Sequence, residues 1–139
     1  MDADDRIASA AEVTDDTTLL YTVRERETGE EREAILVRTD DGVVSWLNYC
    51  QHLTHIRLDK GSGATMRDGE IVCRNHGAYF EADTGYCNFG PCEGAYLSDV
   101  EVAVDDGAVY LADPAYAFVR RGPIERDETD LSSTSNVEF

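Results

Sequence analysis

Apolar and β-branched residues in this chain fall in short runs, and turn residues separate them. Leu19-Leu20-Tyr21-Thr22-Val23-Arg24 is the first clear strand candidate, followed by a turn at Thr28-Gly29. Ala34-Ile35-Leu36-Val37-Arg38 is the next, and Asp40-Asp41-Gly42 turns into Val43-Val44-Ser45-Trp46-Leu47-Asn48. Asp68-Gly69 leads into Glu70-Ile71-Val72-Cys73, and Ala78-Tyr79-Phe80-Glu81 precedes a hairpin turn at Thr84-Gly85. Val100-Glu101-Val102-Ala103-Val104 turns at Asp105-Asp106-Gly107 and returns as Ala108-Val109-Tyr110-Leu111. Asp-Gly and Thr-Gly turns between β-branched runs predict an all-β domain of antiparallel sheets. No sustained helical period occurs, and Ala8–Val13 allows only a short turn. Val37, Val44, Leu47, Val72, Val102 and Val109 are the expected core, with Trp46 packed among them.

Charge adds a second layer. The 139 residues carry 29 acidic against 12 basic side chains, a net charge of −17, and Lys60 is the single lysine. The length suits one domain with its own core. Such an acidic surface disfavours nucleic acid as a partner. An acidic, lysine-poor composition resembles that of proteins from halophiles. Dense carboxylates repel one another when salt is withdrawn, so a salt-requiring protein is expected. The competing use of the charge is a docking face for a basic redox partner. No run approaches the length of a membrane span. Met1 to Asp5 is acidic and unlike a secretory signal, so a soluble, cytoplasmic protein without membrane insertion is expected. From Gly122 onward the chain is polar and acidic, which predicts a mobile tail.

The chemistry concentrates in two short clusters. Cys50-Gln51-His52 and Cys73-Arg74-Asn75-His76 each offer one sulfur and one nitrogen, with twenty residues between His52 and Cys73. Two thiolates and two imidazoles suit either a structural zinc or a [2Fe–2S] cluster with Cys on one iron and His on the other. Zinc sites usually pair like ligands, as C-x₂₋₄-C and H-x₃₋₅-H. Here each cluster mixes the two, which favours the iron–sulfur centre and leaves a zinc-stabilised binding module as the rival.

The pattern C-x-H…C-x-x-H resembles the Rieske iron–sulfur family, over Arg6 to Asp113. The resemblance implies a Rieske fold, with a cluster-binding subdomain at about 49–94 projecting from a base of antiparallel sheets. Residues 114–139 would then be a C-terminal extension. It also implies one Rieske-type [2Fe–2S] cluster, with Cys50 and Cys73 on the inner iron and His52 and His76 on the outer one. High-potential members place a Ser two residues and a Tyr four residues after the second His. Here those positions are Ala78 and Phe80, neither with a hydroxyl to donate to sulfur. A midpoint nearer about −150 mV than about +300 mV is therefore expected. Respiratory-type members also tie the two ligand loops with a disulfide. His55 and Ala78 occupy the matching positions, so that bridge is absent. Asn88-Phe89-Gly90-Pro91-Cys92 is similar to the Gly-Pro loop that covers the cluster in this family.

Cys87 and Cys92 leave three readings open: thiols packed as small hydrophobes, a local disulfide, or a redox-active pair. His55 is assigned no ligand role. The resemblance implies a small electron carrier serving a reductase or an oxygenase, or a small subunit of a larger reductase such as the nitrite reductase type. An oxygenase by itself would need a further iron held by two His and a carboxylate, and only His55 remains for it.

Overall fold

The computed structural model describes residues 3–14, 17–39, 42–49, 58, 63–67, 69–73, 78–90, 94, 96–122 and 124. Among these, eleven strands form three antiparallel sheets. The strands are β1 (Arg6–Ser9), β2 (Leu19–Glu25), β3 (Glu31–Thr39), β4 (Gly42–Leu47), β5 (Thr65–Arg67), β6 (Glu70–Cys73), β7 (Ala78–Glu81), β8 (Cys87–Phe89), β9 (Val102–Asp105), β10 (Ala108–Leu111) and β11 (Tyr116–Arg121). Their orders are β1-β10-β9, β11-β2-β3-β4 and β5-β6-β7-β8. No helix among the described residues is long and apolar enough to cross a membrane.

The sheet of β11, β2, β3 and β4 is the middle layer, because it is covered on both faces. Successive strand residues point to opposite faces, and β3 shows the consequence. Ala34 and Leu36 join Tyr21, Val23, Val109 and Leu111 in one apolar cluster against the β1-β10-β9 sheet. Ile35 and Val37 join Leu20, Trp46, Ile71 and Phe80 in another, against the β5–β8 sheet. A strand buried on both sides needs a continuous apolar run rather than alternation, and Ala34-Ile35-Leu36-Val37 supplies it. All four are fully buried.

Of the other expected core residues, Val109 is fully buried and Trp46 nearly so. Val44, Leu47 and Val102 pack at the cluster margins. Val72 is only half-buried; its neighbour Ile71 takes the core position.

The turns follow their residues. Ala108 pairs with Asp105, which leaves Asp106-Gly107 as a two-residue hairpin loop. Both have positive φ, 52° and 77°, as this turn type requires. Val100 departs from the expected strand. Its N–H donates to the Ser45 carbonyl, and Leu47 N–H donates to Ser98. Residues 98–100 thus cover the outer edge of β4, and β9 begins only at Val102.

Four strands lie outside the expected runs: β1, β5, β8 and β11. β5 and β8 have three residues each, too few for a periodic signal. β11 lies inside the segment read as a C-terminal extension, so that reading is corrected for Tyr116–Arg121. These residues pair with β2, and Tyr116 and Phe118 pack on the base core. Thr22 Oγ1 then donates to the Gly122 carbonyl at 2.9 Å. The polar remainder, 125–139, lies outside the described residues.

Candidate metal centre

Two stems lead to the two candidate donor clusters. β4 ends at Leu47, and Asn48 and Tyr49 bring the chain to Cys50. Cys73 is the last residue of β6 and the register partner of Ala78, the first residue of β7. In sequence, His76 lies in the four residues between these two strands. Cys50, His52, His55 and His76 lie outside the described residues, as do Lys60 and Cys92, and Cys73 is placed by its backbone alone.

One apolar core joins the two stems. Leu58, where the chain returns from the first ligand segment, is buried with Ile71 and Phe80. Ile71 stands two residues before Cys73, and Phe80 four residues after His76. Leu58 N–H also donates to the Asn48 carbonyl at 3.3 Å, so both ends of the first ligand segment meet at Asn48.

Further contacts hold this unit on the middle sheet. Trp46 Nε1 donates to the Ala82 carbonyl at 3.0 Å. A Cβ at Gly85 would meet the Trp46 ring at 2.9 Å, and Gly85 has φ of 75°. Glycine is thus required twice over, by conformation and by the indole against it. Ala64 N–H donates to Thr18 Oγ1 at 2.9 Å, and Thr17 Oγ1 donates to the Ala64 carbonyl at 3.2 Å. These bonds fix the chain just before β5.

Alternation in β7 is as expected. Phe80 is fully buried, whereas half-buried Tyr79 packs against the Phe89 ring at 5.3 Å. The Gly-Pro segment begins at exposed Phe89 and at Gly90, whose φ is 105°; Pro91 lies outside the described residues. Cys87 is a buried thiol in the shared core, and its Sγ donates to the Phe89 carbonyl at 3.3 Å.

Sequence reasoning missed three residues at the first stem: Glu33, Asn48 and Tyr49. Glu33 and Asn48 are fully buried. Asn48 Nδ2 donates to Glu33 Oε1 at 3.3 Å, and Glu33 N–H donates to the Tyr49 hydroxyl at 3.2 Å. A glutamate at the edge of an apolar run looks like a solvated strand end; only its cross-strand neighbours reveal it as buried.

The donor set fits an iron–sulfur cluster. The candidate donors are two soft thiolates and two imidazoles, and the described residues flanking them share one core through Leu58, Ile71 and Phe80. Residues 6–110 match the family described as Rieske [2Fe-2S] domain. No curated protein matches the chain. Among solved structures, a chain in the complex of reduced oxygenase and oxidized ferredoxin of carbazole 1,9a-dioxygenase is 26% identical with a TM-score of 0.59. That match covers 77% of this chain and 99% of that one. The ferredoxin of Sphingomonas yanoikuyae B1 is 24% identical with a TM-score of 0.60, covering 78% and 97%. A structure assigned to the small subunit of an NADPH nitrite reductase is 19% identical with a TM-score of 0.51, covering 77% and 96%. With three quarters of its length matched by the family, and a donor pattern and a three-sheet fold that agree with it, this chain belongs to the Rieske [2Fe-2S] domain family.

Proposed function

We propose that this protein is a one-electron carrier that binds a Rieske-type [2Fe–2S] cluster and exchanges electrons with a redox enzyme. The family match over residues 6–110 carries the reading. When bound, the cluster supplies a one-electron couple localised on its two irons. Cys50 and Cys73 are the thiolates for the inner iron. His52 and His76 are the imidazoles for the outer iron. We take 49–94 as the cluster-binding unit, held by the base sheets through Trp46, Leu58 and Asn48.

The chain's own part is to hold the four donors, keep water from the sulfurs and set the potential. Phe80, four residues after His76, is a fully buried ring without a hydroxyl. That supports a low potential. A redox titration should give a midpoint well below about +100 mV; a higher value overturns this part of the reading.

An oxygenase or a reductase is the partner class this reading favours, since chains of similar length and fold bear the name ferredoxin. The second reading, a small subunit of a larger reductase, rests on the fold shared with the nitrite reductase subunit. Purification from native cells separates them: a stable large complex favours the subunit.

The first experiment is EPR of the dithionite-reduced protein with metal analysis. A rhombic signal and about two irons per chain are expected. A silent spectrum with bound zinc would overturn the electron-transfer reading.

A further inference from the structure

The feature that packing alone does not account for is Glu33. Its side chain is fully buried. By strand alternation it lies on the same face of β3 as Ile35 and Val37, the face turned to the β5–β8 sheet. An apolar side chain of similar size would fill that space without the cost of desolvating a carboxyl group. Its polar atoms, side chain and backbone, instead make specific bonds to two stretches of chain, Asn48–Tyr49 and Ile124.

Oε1 accepts from Asn48 Nδ2 at 3.3 Å. The backbone carbonyl accepts from Asn48 N–H at 2.9 Å, and the backbone N–H donates to the Tyr49 hydroxyl at 3.2 Å. Asn48 and Tyr49 immediately precede Cys50. The Asn48 carbonyl also takes the Leu58 N–H, so the departing and returning ends of the first ligand segment both hang on the Glu33–Asn48 pair. Oε2 looks elsewhere, accepting the Ile124 N–H at 3.0 Å. Two residues before Ile124, the Gly122 N–H donates to the Leu20 carbonyl and the Gly122 carbonyl accepts from Thr22 Oγ1.

We infer that Glu33 is a positioning residue for the Cys50–His52 segment, and that it couples this segment to the chain after β11 through one shared carboxylate. The inference rests on the cluster reading above. With Oε2 held by Ile124, Oε1 is fixed toward Asn48, and Asn48 in turn fixes both ends of 49–58. Release of either contact lets the carboxylate turn and loosens the ligand segment, although neither contact touches a ligand.

Two variants of the full chain test this. Glu33→Gln keeps the shape but sets an amide N–H₂ against Asn48 Nδ2 or the Ile124 N–H. Ile124→Pro removes one N–H donor remote from the ligand segment. The readouts are the rate at which a chelator bleaches the visible absorption, the EPR line shape of the reduced protein, and the midpoint potential. Each variant should bleach about tenfold faster, as expected for a buried group that loses one hydrogen-bond partner. Each should also shift the EPR line shape or the midpoint. The double variant should bleach no faster than the faster single variant, because both act on one carboxylate.

Iron-loaded variants with wild-type bleaching, line shape and midpoint overturn the inference. So does a lower melting temperature with all three readouts unchanged, since that is a purely structural role. Fully additive effects overturn the coupling. If Glu33→Gln does not load iron, Ile124→Pro decides by the same readouts. Wild-type protein carrying zinc and no iron would overturn the cluster reading itself, so the two failures are distinguishable.

Discussion

The two ends of this molecule are built on different physical terms. In the base, the strands of the middle sheet run to nine residues, and both faces of that sheet are buried. All five ion pairs found among the described residues also lie there: Arg24–Glu31, Arg32–Glu25, Arg32–Glu30, Arg120–Glu31 and Arg121–Glu12. The β5–β8 sheet has strands of three and four residues. Its core is completed by the base, through Leu20, Ile35, Val37 and Trp46. Sheets this small are marginal without a partner layer. The base therefore carries the fold, and the β5–β8 sheet borrows stability from it.

Removing iron is the strongest way to break the comparison. Apo protein should lose amide protection across β6 and β7 by orders of magnitude while β2, β3 and β4 keep theirs, as hydrogen exchange would show. Equal loss in both regions would mean the two ends fold as one unit.

Next in size are core deletions at fully buried positions in each region. Phe80→Ala should cost about 3–5 kcal/mol and Leu36→Ala about 2–5 kcal/mol. The first should bleach the cluster well before the base melts, whereas the second should lower the melting temperature of the whole chain. Bleaching kinetics beside a thermal melt separates them.

Gly85→Ala probes the seam. The added methyl meets Trp46 and the backbone has positive φ, so a loss of about 2 kcal/mol is expected. A shift in Trp46 fluorescence should accompany it, since that is the single tryptophan.

The smallest effect is on the base surface. The hydrogen bond from Arg32 holds the Glu25 carboxyl below its ordinary value of 4.5. The Ser9 backbone N–H, with Arg121, does the same for Glu12. A lowered folded value means stability that is complete above 4.5 and lost as pH falls through the lowered values. A slight drop in melting temperature is expected there, weaker still in high salt because these pairs are exposed. A drop that salt leaves unchanged would count against this origin.

Much of this was legible without coordinates. Turn chemistry bounded Glu70–Cys73, Ala78–Glu81 and Ala108–Leu111 as the structure has them. A run such as Ala34–Val37 announces burial on both sides by its lack of polar residues. β5 and β8 were hidden because three residues hold no period; they exist because β6 and β7 offer them free edges. β11 was hidden because its apolar residues follow Pro114 and lead into an acidic stretch, and its place is set by the edge of β2, far away in sequence.

Local pattern thus determined the all-β class and the antiparallel hairpins, and it nominated Cys50, His52, Cys73 and His76 as the donors. These depend on turn conformation, side-chain period and ligand type, all properties of neighbouring residues. Tertiary structure alone decided that Glu33 is buried and bonded to Asn48, that Trp46 seats the β7–β8 turn, and that the chain after β11 reaches Glu33. Each of those is a contact between segments many residues apart, and such contacts follow from the stacking of sheets rather than from any pattern within one strand.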